Sequence, residues 1–92
     1  MNIIDQKIKI LLQRSTTATI ISFNYGDPLQ LDDHETYIVQ YIFSRNRHKY
    51  VAYTAFKVSI TDNLIQQVQP NWLKTNVERI EPNKPIASID GF

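Results

Sequence analysis

Arg45, Arg47, His48 and Lys49 fall within five positions of one another, and no Asp or Glu occurs between Glu35 and Asp62. Guanidinium and ammonium groups gathered in this way pair with phosphate oxygens. Tyr41, Tyr50 and Tyr53 lie in the flanking segments, and a tyrosine ring beside such cations can stack on a nucleobase. The chemistry on offer is salt-sensitive binding of nucleic acid or a nucleotide. Eight of the ten aromatic residues lie between Phe23 and Phe56, so the same rings also suit a sheet core whose tyrosines keep their hydroxyls wet. A net charge of +1 leaves no broad positive field and favours the plainer reading of the cluster, a solvated hairpin tip.

Other constellations are weaker. Asp32, Asp33, His34 and Glu35 bring oxygen and imidazole ligands close in sequence, yet there is no second His cluster, no H-x-x-x-H and no Gly-punctuated calcium loop. No metal is expected there, and His34 reads as a surface residue. The chain has no cysteine, hence no disulfide, thiolate site or Cys nucleophile, and two glycines are too few for a Gly-rich phosphate loop. With no nucleophile elbow and no paired-carboxylate context, neither an enzyme nor a cofactor is read. Trp72, after Pro70-Asn71, suits an anchor for a protein partner or, the preferred reading, a cap over one end of a small core. Arg79 stands beside Glu78 and near Glu81, which local ion pairing accounts for.

These residues need elements to hold them. Ninety-two residues at 42% hydrophobic and 21% charged make one folded domain, read as residues 1–82 with a loosely held tail at 83–92. Ile4, Ile8, Leu11 and Leu12 recur at helical spacing, so Asn2 to Arg14 is expected to form an amphipathic helix capped by Asn2. Thr17 to Tyr25 alternates, with Ile21, Phe23 and Tyr25 on one face and Ala18 and Ile20 on the other. The stretch from Asp27 to Glu35 reads as a solvated acidic loop. A strand from about Glu35 to Ser44 and another from Lys49 to Ile60 are joined by a hairpin at 45–48. Beyond Ile60, the form Ser59-Ile60-Thr61-Asp62 followed by Leu64, Ile65 and Val68 favours a short helix over a strand from Leu64 to Val68. Leu73 to Ile80 holds a last strand. The longest aliphatic run, Ile10-Leu11-Leu12, is far short of the roughly 20 residues that cross a bilayer, and no secretory signal is read, so a cytoplasmic protein without membrane contact is expected.

Ile21-Ser22-Phe23-Asn24-Tyr25, Lys49-Tyr50-Val51-Ala52-Tyr53 and Val77-Glu78-Arg79-Ile80 resemble, in that order, three motifs of the WYL domain, a small SH3-like or Sm-like β-barrel of bacterial regulators. Lys49 and Val51 replace the Trp and Leu of the segment that names the family, and Leu73 and Thr75 stand where it has Arg and Phe. The resemblance implies that Tyr50, Tyr53 and Arg79 line a surface that senses a nucleotide or nucleic acid.

The expectation is an α+β domain with its helix packed on a bent antiparallel sheet of four or five strands, with closure into an SH3-like barrel as one outcome. Functionally it is a non-enzymatic binding module for nucleic acid or a nucleotide-like ligand, acting through Arg45, Arg47, His48, Lys49, Tyr50, Tyr53 and Arg79. The second reading is a protein-interaction adaptor or inhibitor that uses strand edges, Trp72 and the tail. A homodimer is compatible with both.

Overall fold

Two apolar, alternating segments on either side of a two-residue turn fold back on each other, and everything else packs around them. The computed structural model describes residues 3–31, 33–62, 64–74 and 76–80. Its elements are α1 (Ile3–Arg14), β1 (Thr19–Tyr25), β2 (Leu29–Leu31), β3 (His34–Arg45), β4 (His48–Ser59), β5 (Ile65–Val68) and β6 (Glu78–Arg79). β3 and β4 pair along their whole length, from His34 opposite Ser59 to Arg45 opposite His48. β1 and β2 follow one another along the outer side of β3, and β5 and β6 flank β4 in the same way. The protein is therefore α+β, with six antiparallel strands on four tracks. No pairing joins β1 to β5 among the described residues, and the sheet there is open rather than closed into a barrel.

Strand pleating sends alternate residues to opposite faces. Tyr37, Val39, Tyr41 and Phe43 of β3 share one face with Phe56, Thr54, Ala52 and Tyr50 of β4. α1 covers the middle of that face, where Ile8 and Leu12 pack against Val39 and Phe56, all four fully buried. The helix ends where Ser15 turns back: its N–H reaches the Leu11 and Leu12 carbonyls and its hydroxyl donates to Leu12 at 2.8 Å. On the far face Val51, Tyr53 and Ala55 lie under Leu73, which is 4% exposed. Two polar contacts fix the layers in register: Gln40 Nε2 donates to the Tyr53 hydroxyl at 3.1 Å, and Gln67 Nε2 donates to buried Thr54 at 3.1 Å. A buried polar group without its partner is costly, so each contact penalises a slipped pairing.

Four expectations change. In β1 the pairing jumps from Ile20–Phe43 to Ser22–Ile42, so Ile21 is the extra residue of a β-bulge. Ile20 thereby joins Phe23 and Tyr25 against the helix, and Ile21 is left 47% exposed. The segment expected as a helix after Ile60 is strand β5. The Ser59 N–H bonds the Leu64 carbonyl at 2.9 Å and carries the ladder onward, while the Asp62 carboxylate accepts from Leu64 N–H in a turn instead of capping a helix. Ile65 then faces the helix side and Val68 the Leu73 side, as residues three apart in a strand must. The acidic loop contains β2, and the last strand shortens to Glu78–Arg79 because Leu73 sits in a turn closed by its N–H on the Pro70 carbonyl. Asn2 and the tail at 83–92 lie outside the described residues.

Phe56 is the largest fully buried side chain and touches both the helix and the sheet. Phe56→Ala is expected to lower unfolding stability by about 3–5 kcal/mol in a urea titration, against under about 1 kcal/mol for the exposed Ile21→Ala.

Candidate nucleic-acid interface

The turn between β3 and β4 has only Asn46 and Arg47 at its centre, with φ of 52° and 67°. Positive φ at both positions is the I′ geometry that matches strand twist and that Asn-Gly adopts at least cost. Asn46 suits the first position; Arg47, with a Cβ, is strained at the second. The turn thus holds a cation where glycine would fit better.

Pleating then sorts the sequence-named residues. Arg45 and His48 are cross-strand partners, as are Phe43 and Tyr50, and Tyr50 is also the partner of Arg79 on β6. Directly opposed residues share a face, so Arg45, His48, Tyr50 and Arg79 project on the helix side, at the end of the sheet that α1 leaves uncovered. Half-buried Tyr50 stacks on Phe43 with centroids 5.3 Å apart and ring planes 20° apart, and the Arg45 guanidinium lies 5.5 Å from the Phe43 centroid. Arg45 Nη2 also donates to Thr16 Oγ1 at 3.4 Å, which brings the end of α1, with Arg14 in its last turn, beside the tip. Glu78 lies opposite Val51 on the other face and bonds Lys74 at 2.8 Å, a hydrogen bond that raises the Lys74 pKa. Arg79, expected to pair with a neighbouring Glu, has no ion-pair partner among the described residues.

The remaining residues fall elsewhere. Lys49 is opposite Ser44 on the far face, and Arg47 stands at the turn itself. Tyr53 is 6% exposed beneath Leu73, hydrogen-bonded to Gln40 and 5.5 Å from the Lys74 ammonium through its ring centroid; it does not join Tyr50. Tyr37 and Tyr41 turn toward the helix, and burial pushes both phenols above their ordinary pKa, with Glu35 adding to the effect at Tyr37. Lys57, opposite Thr36, is near the other end of the hairpin. Trp72 is 55% exposed on the rim of a cavity of about 380 Å³ shared with His34 and Lys57, and Leu73, not Trp72, caps the core. His34 Nδ1 lies 2.6 Å from the Asp33 carboxylate. Sequence reading missed Phe43, Thr16 and Arg14 as members of the tip. The first follows once the turn length fixes which residue opposes Tyr50.

Charge is sorted along the hairpin. Arg45, Arg47, His48, Lys49 and Arg79 sit at the turn, while Asp33, Glu35 and Asp62 sit toward the opposite end and outnumber the one lysine there, Lys57. The Ser59 side chain and the Leu64 N–H hold the Asp62 carboxyl below its ordinary pKa. No helix among the described residues is long and apolar enough to cross a membrane. Comparison with protein families, with curated proteins and with solved structures finds no match to this chain.

Arg47→Gly relieves the left-handed strain and is expected to raise stability by about 1 kcal/mol, read as a higher urea midpoint at unchanged slope.

Proposed function

We propose that this protein is a non-enzymatic binding module that engages single-stranded nucleic acid or a nucleotide at the β3–β4 tip, without a cofactor. The observation that carries the reading is the row Phe43, Tyr50, Arg79: two aromatic rings stacked side by side on one face, with an arginine opposite the second and Arg45 and His48 in the next row. A base stacks on Tyr50, and Arg45 and Arg79 take the phosphates on either side of it. Stacking is tolerant of sequence because every base has a π-face, so weak base preference is expected. A duplex, whose bases are already stacked and hidden, offers no free base face to Tyr50. The WYL resemblance points to the same pair, Tyr50 and Arg79, with buried Tyr53 set aside. A reducing compartment such as the cytoplasm suits a chain without cysteine.

Gel shift and fluorescence anisotropy with single-stranded and duplex oligonucleotides at two salt concentrations test this. Tyr50→Ala is expected to weaken single-strand binding by about 1–3 kcal/mol, while Tyr50→Phe retains it. Arg45→Ala with Arg79→Ala should flatten the log–log salt dependence by about 1.4, two contacts at ~0.7 each. No shift at low salt sinks the proposal. Arg47→Gly adds a separation of effects: a more stable protein that nevertheless binds less tightly.

A further inference from the structure

An exposed strand edge offers a row of unpaired N–H and C=O groups, and natural edges are blunted by shortness, charge, proline or a bulge. β2, β5 and β6 obey this with three, four and two residues. β1 has only its bulge. Its seven residues, Thr19 to Tyr25, contain no charge and no proline, and β3 is its only pairing neighbour among the described residues. Along its outer side runs a groove of about 610 Å³, lined by residues 20–25 and by Asp5 and Lys9 of α1. Ile21, which the bulge displaces from the core, is 47% exposed beside it.

We propose that this edge pairs with the same edge of a second copy, forming an antiparallel β1–β1 ladder and a two-fold dimer. α1 runs antiparallel to β1: the Tyr25 hydroxyl donates to Asp5 at one end, and Gln13 Nε2 donates to the Ala18 carbonyl at the other. A two-fold axis normal to the sheet, passing near Phe23, therefore sets the two α1 helices side by side and antiparallel on the same face. Asp5 and Lys9 lie one helical turn apart and both line the groove. Their images are reversed, so Asp5 of each copy meets Lys9 of the other in two reciprocal ion pairs. A strand without charge also pairs with itself without placing like charges opposite, and the patch is self-complementary as a closed two-fold interface requires. The groove's one acid and one base select for that reversed copy, whereas a strongly charged foreign strand would meet no net opposing charge. The tip residues Arg45, Tyr50 and Arg79 lie at or beyond the Thr19 end of β1, whereas the axis passes near Phe23, so the dimer and the binding reading are tested by different variants.

Sedimentation equilibrium of the full chain, from micromolar to high-micromolar concentration, tests the interface, with circular dichroism confirming that each variant is folded. The wild type is expected to dimerise, and Ile21→Lys to weaken the dimer about tenfold or more by placing charges at the shared edge. Lys9→Glu alone and Asp5→Lys alone should each be weakened by like-charge contacts, yet an equimolar mixture of the two should recover a heterodimer, because each copy then supplies what the other lacks. A wild type that stays monomeric throughout overturns the proposal. So does a dimer indifferent to Ile21→Lys and Lys9→Glu, or a mixture that fails to associate. Oligonucleotide binding by the Ile21→Lys monomer keeps this outcome apart from that at the tip.

Discussion

The two-residue turn at Asn46-Arg47 is the constraint on which the rest depends. With only two residues at the bend, each β3 residue has one partner on β4, and a shift by a single residue would send every side chain to the wrong face. Phe56 meets Tyr37, Val39 meets Thr54, and the apolar stripe of α1 finds a complementary surface because those pairs are set. The strain at Arg47 is local and small beside the burial that this register makes available. A turn of another length would dismantle the helix–sheet core and the tip together.

Register is also guarded from inside. Gln40 with Tyr53 on one face is a buried polar contact, and Thr54 with Gln67 on the other a partly buried one. Their net contribution to stability is modest, about 1 kcal/mol each, but their loss in any alternative pairing is not. The two faces thus carry separate locks. The helix covers one, and the segment around Leu73 covers the other.

Much of this was legible in the sequence. The helix, β1, the long hairpin and the position of its turn follow from periodicity and from the shortness of 45–48 between two β runs. Four things were not. The bulge at Ile21 inverts half of β1, and an alternation count has no means of detecting one inserted residue. The stretch Leu64 to Val68 is too short for period 2 and period 3.6 to be told apart; the decision came from the Ser59–Leu64 contact, a tertiary fact. Tyr50 and Tyr53 were joined into one surface by the family resemblance, although alternation along the strand already puts residues three apart on opposite faces. The tip gained Phe43 and lost Tyr53 for the same reason. Trp72 was preferred as the cap, a place Leu73 takes because the turn after Pro70 decides which of two adjacent apolar residues points inward.

The sorting of charge along β3 and β4 alters what a net charge of +1 means. Twelve paired residues at about 3.3 Å each separate the two ends by roughly 40 Å, in a molecule whose longest dimension is 43 Å. The Debye length at physiological ionic strength is about 8 Å. Each end is therefore electrically out of sight of the other, and an approaching polyanion within a Debye length of the turn meets a cationic object, not a neutral one. At low ionic strength the same separation makes the molecule a long dipole, which turns in the field of a charged strand and arrives with its arginines leading.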